Sequence, residues 1–200
     1  MSDHIGVSTL VVTRDRKLVF WNQGSNAPQS RNRYVSTGSG SCDWHDRVGA
    51  DLKATLTAAM EREFREESFG DGVPPPFEHS TRVIGYFRWL SRGAKPEFTG
   101  AIRIGLDAHR LRPNTAEVNR RGRSRLCRDV PTLECLVRVL GELLETEMAS
   151  VSLWANALAL REAVAEAPAD WSAFLGLPLE DRDVGPAAPD DLAMANSSDR

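Results

Sequence analysis

The stretch Arg-Glu-Phe-Arg-Glu-Glu at positions 62–67 is the most informative part of this sequence, because it brings three acidic residues together. Glu63, Glu66 and Glu67 are spaced so that a helix would place them on one face, with neighbouring Cβ atoms about 6 Å apart. Phe64 falls on another face and is expected to point into a core. Three clustered carboxylates repel one another, and a hard divalent cation such as Mg²⁺ or Mn²⁺ would relieve that repulsion. A solvated face neutralised by neighbouring arginines is the alternative interpretation.

The helix that carries this stretch has clear limits in the sequence. Asp51 is a suitable N-cap, and apolar residues follow at helical spacing up to about Ser68. Gly70, Gly72 and the three prolines at 74–76 end the helix.

Strands are predicted on both sides of this helix, so the fold class is α/β. The predicted strands are Ile5–Thr13, Leu18–Asn22, Tyr34–Thr37, Thr81–Leu90 and Phe98–Leu106. Two further helices are expected within about 131–166, and Trp171, Phe174 and Leu175 indicate a final docking segment. We expect one domain over residues 1–177 and a disordered tail over 178–200, because few apolar residues occur from about Leu179 onward.

Composition excludes several classes of protein. The net charge is −3, which argues against a nucleic-acid partner bound by charge alone. Apolar stretches are far shorter than the ~20 residues of a membrane span, and no secretory leader is visible. The cysteines Cys42, Cys127 and Cys135 are widely spaced and form neither a metal motif nor a disulfide framework. These features predict a cytoplasmic protein that does not enter a membrane.

The order of residues at 62–67 resembles the core of the Nudix box, G-x5-E-x7-R-E-U-x-E-E-x-G-U, in which U is a bulky aliphatic residue. The surroundings agree, since a hairpin, a third strand and a glycine-rich turn come before the helix and two more strands follow it. The resemblance covers roughly residues 5–147. It implies a Nudix-like α/β/α sandwich with a mixed sheet, here extended by C-terminal helices.

The resemblance also implies roles for individual residues. Glu63, Glu66 and Glu67 would bind Mg²⁺ or Mn²⁺, and Arg62 would orient one of them. A backbone carbonyl of the glycine turn, at Gly38 or Gly40, would be a further ligand. The metal would activate water to attack a diphosphate, with Glu66 or Glu67 as the base. The implied activity is hydrolysis of a nucleoside diphosphate linked to another moiety.

The sequence departs from the Nudix pattern before the helix. Ala54 occupies the position of the upstream glutamate of the box, and Val48 that of its glycine. We interpret this as an insertion between the glycine turn and the helix. Asp46 lies six residues after Gly40, which matches the G-x5-E spacing with a shorter side chain. The candidates for a substitute carboxylate are Asp43, Asp46 and Asp51.

Residues outside the motif are candidate substrate contacts. The predicted substrate-binding set is Arg103, Trp89 and Asp46, for a small nucleotide or other diphosphate compound. The arginine-rich segment 110–128 could clamp a second phosphate or a protein partner, or be a solvated loop.

A non-catalytic Nudix-like nucleotide sensor or regulator is the competing hypothesis. Ala54 favours the sensor, whereas the intact cluster of three glutamates favours the enzyme. A homodimer formed through the helical extension is a further possibility.

Overall fold

A computed structural model of the chain describes residues 4–23, 30, 32–70, 72–114 and 124–180. Within these residues it contains seven strands: β1 Gly6–Val12, β2 Lys17–Asn22, β3 Tyr34–Val35, β4 Gly38–Ser41, β5 His79–Trp89, β6 Lys95–Ile104 and β7 Ser124–Asp129. The helices of the same residues are α1 Leu52–Ser68, α2 Leu133–Glu145, α3 Val151–Glu166 and α4 Pro168–Leu175.

The strands form one mixed sheet around β1. The main order is β3-β2-β1-β6-β5, while β4 pairs with β1 and β7 pairs with β2. The pairing of β1 with β6 is parallel, and the pairings of β1 with β2 and β4 are antiparallel. The mixed α/β sheet expected from the sequence is therefore confirmed.

Side chains of β1 alternate between two helical layers, as a strand with period two requires. Val7 and Val11 lie on the face covered by α1. Leu10 and Val12 belong to the larger core on the other face, which is built from α2, α3 and α4. The α/β/α sandwich with a C-terminal helical extension is thus the observed architecture.

The helical extension ends in the segment around Trp171, which forms helix α4. Leu177 after this helix is 1% exposed, and the carbonyl of Pro178 accepts a hydrogen bond of 2.7 Å from the N–H of Leu133. The folded part therefore reaches Pro178, one residue past the predicted boundary, while residues 181–200 of the predicted tail lie outside the described residues. No helix among the described residues is long and apolar enough to span a membrane.

Helix α1 approaches β4 closely because two residues of that strand have no side chain. A Cβ atom at Gly38 would lie 2.7 Å from the backbone N and Cα of Phe64, and one at Gly40 would lie 2.2 Å from the carboxyl carbon of Glu63. Contacts of this length do not occur in folded proteins. Gly38 is thus a steric requirement for the position of α1, and Gly40 leaves room for the carboxylate of Glu63.

Replacing Gly38 by alanine tests this contact. Because the obstacle is helix backbone, we expect Gly38→Ala to lower the free energy of unfolding by about 1–3 kcal/mol, as overpacking does. Gly141 on α2 is the control, since a Cβ there has nothing within 4 Å and Gly141→Ala should stabilise by about 0.5–1 kcal/mol. Urea unfolding measures both changes. Equal stability of the two variants would show that α1 is not held this tightly.

Candidate active site

The three glutamates of the sequence motif lie on the last two turns of α1 and differ in exposure. The side chain of Glu63 is 13% exposed and that of Glu66 is 42% exposed. Glu67 is buried, with 6% of the residue exposed. The cluster therefore runs from the protein interior to solvent.

The outer edge of β4 fixes two of these carboxylates. The backbone N–H of Ser41 donates to Oε1 of Glu63 over 3.1 Å, and that of Ser39 donates to Oε2 of Glu67 over 3.1 Å. Residues of a strand alternate in the side to which their backbone groups point. The backbone N–H groups of Ser39 and Ser41 point away from β1 to the carboxylates of α1. The backbone carbonyl of Gly38 points to β1.

The same alternation bears on the backbone ligands expected from the sequence. Gly38 and Gly40 are the predicted carbonyl ligands, and the carbonyl of Gly38 already accepts a hydrogen bond from Oγ1 of Thr9 on β1. The outward carbonyls belong to Ser39 and Ser41, and that of Ser41 accepts a hydrogen bond from Arg62. The sequence analysis missed the two serines because it treated this stretch as a turn, in which backbone groups do not alternate.

Arg62 connects the helix, β4 and the segment between them. Its Nε and Nη2 donate to the two carboxylate oxygens of Asp46 over 2.8 and 2.9 Å. Nη1 donates to Glu66 over 2.8 Å and to Glu63 over 3.1 Å. All three guanidinium nitrogens are thus engaged, which fixes the side chain.

Asp46 is positioned by a short helical turn, Trp44–Asp46. The N–H of Asp43 donates to Oδ2 of Asp46 over 2.7 Å, while Oδ1 of Asp43 accepts from the N–H of Trp44 over 2.6 Å. Asp51, the third candidate, caps α1 by accepting from the N–H of Ala54. Of the three candidate aspartates, Asp46 is therefore the one that pairs with Arg62. Its oxygens are used within the protein, so it supports Arg62 and is not free to contact a substrate.

The carboxylates differ in their tendency to hold a proton. Burial raises the pKa of Glu63, and the nearby Arg62 only partly offsets this. Burial also acts to raise the pKa of Asp46, but hydrogen bonds from Arg62 and from the backbone of Asp43 outweigh it, so the pKa lies below the usual value. Hydrogen bonding to Asp46 raises the pKa of Arg62. The Arg62–Asp46 pair is therefore charged at neutral pH.

The donor set fits a hard divalent cation by its chemistry, since it consists of carboxylate and carbonyl oxygens. As arranged, however, no three acidic, histidine or cysteine side chains of the described residues converge into a metal site. The cause is visible in the contacts, because Nη1 of Arg62 bonds to both Glu63 and Glu66. The guanidinium thus neutralises carboxylates that a cation would otherwise share.

The structure does not bring Arg103, a member of the predicted substrate-binding set, to the carboxylates. Ile102 and Ile104 pack with Phe64 on the α1 side of the sheet. Arg103, between them, points to the other face and lies against Gly176 after α4.

Trp89 also lies apart from the glutamates. It is the last residue of β5, and β6 and β1 separate β5 from β4. Its Nε1 donates to Oγ of Ser91 over 2.9 Å, and the Arg92 guanidinium lies 4.6 Å from the ring centroid. The order of the strands in the sheet therefore separates Trp89 from the glutamates. The position of Trp89 in the sequence does not reveal this separation.

The arginine-rich segment is only partly described, since Arg120, Arg121 and Arg123 lie outside the described residues. Its first residues close the end of α1: Nδ2 of Asn114 donates to the carbonyl of Glu66 over 2.8 Å, and the N–H of Asn114 donates to the carbonyl of Glu67 over 2.9 Å. Arg125 binds two carbonyls, those of Ala108 and Leu111. Asn114, like Ser39 and Ser41, is a contact that the sequence alone did not predict.

Comparison with solved structures supports this description of the fold. A Nudix hydrolase from Alicyclobacillus acidocaldarius matches with a TM-score of 0.55 and 13% identity, covering 90% of this chain and 99% of that one. The fold is Nudix-like. No family model matches the sequence, and no curated protein matches it significantly.

Two other structures share the Nudix-like fold with lower similarity. A MutT protein from Methanosarcina mazei has a TM-score of 0.45 and 12% identity, covering 80% of this chain and 94% of that chain. A Nudix-family hydrolase from Clostridium perfringens has a TM-score of 0.46 and 12% identity, covering 80% of this chain and 97% of that chain.

The Arg62–Asp46 pair, whose carboxylate is buried, predicts a stability difference that an exposed pair should not show. Asp46→Asn removes one charge from a pair whose carboxylate side chain is 4% exposed, so we expect a loss of about 1–3 kcal/mol. Asp107→Asn is the control, since Asp107 makes the same two-bond contact with the exposed Arg14 and should matter much less.

The effect of Asp46 should also depend on pH. Because the folded pKa of Asp46 is lowered, its contribution is present above the usual aspartate pKa and is lost as the pH falls through the folded value. Urea unfolding at a series of pH values from neutral to strongly acidic should therefore show that the free energies of unfolding of the wild type and of Asp46→Asn converge. If the difference in the free energy of unfolding between the two proteins stays constant with pH, the charge of Asp46 is not what stabilises the fold.

Proposed function

We propose that this protein is a metal-dependent hydrolase that cleaves the diphosphate bond of a nucleoside diphosphate linked to another moiety. One observation carries the proposal: of three carboxylates at the end of α1, two accept hydrogen bonds from the outward backbone edge of β4, and the third bonds to an arginine fixed by Asp46. The Nudix-like fold is consistent with this function.

The chain offers only oxygen ligands for Mg²⁺ or Mn²⁺ at this place. Glu63, Glu66 and Glu67 would supply carboxylates, and the carbonyl of Ser39 faces the same side. The bound cation would supply a Lewis acid and an activated water for attack on the diphosphate. Glu66 is the most exposed of the three, so it is the ligand that can leave Arg62 at least cost.

The remaining residues orient the site. Arg62 restrains Glu63 and Glu66, and Asp46 restrains Arg62, so each carboxylate has a defined position before any ligand arrives. Glu66 reaches solvent and Glu67 is buried against β4. Either can take the proton of the attacking water, and Glu66 has the easier route for passing it on to solvent.

A nucleotide sensor without turnover is the second candidate. It is favoured by the contacts of Arg62, whose Nη1 already bonds to two of the carboxylates as a cation would. In that case the guanidinium would replace the metal permanently. The two candidates differ in whether a divalent ion can displace this contact.

Soaking crystals with Mn²⁺ tests the displacement directly. We expect anomalous density between Glu63, Glu66 and Glu67, with Glu66 no longer bonded to Arg62, because a divalent charge outcompetes a single guanidinium for clustered carboxylates. Density at another place, with the contacts of Arg62 intact, would leave the sensor as the better proposal.

Activity assays on a panel of nucleoside diphosphate compounds with Mg²⁺ or Mn²⁺ test catalysis. Glu67→Gln should abolish turnover with the fold intact, and Asp46→Asn should reduce kcat by about 10–100-fold, as is typical of groups that support a ligand. Glu61→Gln is the matched control on the same helix, since Glu61 faces away and contacts Thr81 and His79. If Glu67→Gln keeps full activity, the chemistry takes place elsewhere.

A further inference from the structure

A cavity lies on the opposite face of the sheet from the three glutamates. Its volume is about 380 Å³, and it is formed where β1 and β6 end beside the last turn of α4. A smaller cavity of about 100 Å³ adjoins it and shares Glu78, Arg103 and Gly105 with it. The function proposed above makes no use of this region.

Arginines predominate among the charged residues that line this cavity. Three arginines line it, Arg14, Arg16 and Arg103, against one acidic residue, Glu78. The chain as a whole has a net charge of −3. The positive charge is therefore a local feature of this cavity.

Arg103 is notable because no partner among the described residues neutralises it. Within the described part of the chain it makes no hydrogen bond or ion pair, whereas Arg14 is held by Asp107 and Arg82 by Asp170. Arg14 bonds to Asp107 through Nε and Nη2, which leaves its Nη1 available. Arg16 makes one long contact of 3.4 Å, to the carbonyl of Pro131. Donors of all three arginines are thus available to a ligand.

The position of Arg103 is defined by packing. A Cβ atom at Gly176 would lie 3.1–3.3 Å from Cζ, Nη2 and Nε of Arg103, so the guanidinium lies against the bare backbone at that point. Gly176 also has a φ of 68°, which ends α4 in the left-handed region. One glycine therefore both ends the helix and leaves room for the arginine.

We propose that this cavity is a second ligand site, which binds a small molecule through a phosphate group. The planar guanidinium fork matches phosphate oxygens, and three arginines that line one cavity can supply several donors to a single phosphate group. Its volume lies near the lower end of ligand cavities, which span about 300–1,000 Å³. Glu78 on the wall can accept a hydrogen bond from a hydroxyl or amine of the same ligand. A concave site in an acidic chain favours a small molecule over a nucleic-acid strand.

A structural role for Arg103 is the competing explanation. A cation near the end of a helix interacts favourably with its carbonyl end, and α4 ends beside Arg103. That role needs no ligand and predicts no saturable binding of an anion. The two explanations are therefore separable in solution.

A titration of the full-length protein with inorganic phosphate, followed by ¹H–¹⁵N NMR at low ionic strength with a chelator present, tests the site. We expect saturable shifts of the amide resonances of Gly105 and Gly176. Arg103→Ala should bind phosphate at least tenfold more weakly than the wild type, and added salt should weaken phosphate binding to the wild type. Arg88→Ala is the control, an exposed arginine on β5 far from the cavity, and should bind phosphate as the wild type does. Arg16→Ala in the exposed turn is a second variant, should Arg103→Ala not fold.

Several outcomes would overturn the site. These are shifts that do not saturate, shifts centred on Ser39 and Ser41, or unchanged affinity in Arg103→Ala and Arg16→Ala. A short single-stranded oligonucleotide is also compared with pyrophosphate as a competitor. If the oligonucleotide displaces phosphate at the lower concentration, the ligand of the site is a nucleic acid and not a small molecule. The readout uses neither metal nor turnover, so a negative result here leaves the proposed hydrolase untouched, and the converse also holds.

Discussion

The contact between the end of α1 and the outer edge of β4 determines the rest of the candidate active site. Two backbone N–H groups, of Ser39 and Ser41, hold two glutamates of the helix, and the neighbouring glycines Gly38 and Gly40 keep the space free. An α-helix that packs on a sheet normally keeps a distance set by side chains on both sides. Here the side chains of one partner are missing, so carboxylates reach the strand backbone itself.

This close contact explains why Arg62 and Asp46 are needed. Bringing Glu63 out of water raises the pKa of its carboxyl group, which shows that the position is unfavourable for charge. Arg62 supplies a compensating charge, and Asp46 keeps that charge in place through two parallel hydrogen bonds. A buried network of this kind is stabilising only when its members are all satisfied. The turn capped by Asp43 completes it, because it fixes the distance from β4 to Asp46.

The parts of the structure that depend on neighbours along the chain could be predicted from the sequence, and those that depend on strand pairing could not. The helix, its cap at Asp51 and the shared face of the glutamates follow from local periodicity. Asp46 was recognisable from its spacing to Gly40, although only the structure shows that it contacts Arg62. The orientation of Ser39 and Arg103 depends on which residues of β4 and β6 face which layer. That register is set by partners distant in sequence, and one residue of shift reverses it.

The outward edge of β4 has a consequence beyond the candidate active site. Unpaired N–H groups at the margin of a sheet are a template on which a second chain can add a strand and begin aggregation. In this protein Glu63 and Glu67 occupy those groups, so the margin is closed by negative charge and not by another strand. The acidic cluster therefore also covers an edge of the sheet on which another strand could otherwise pair.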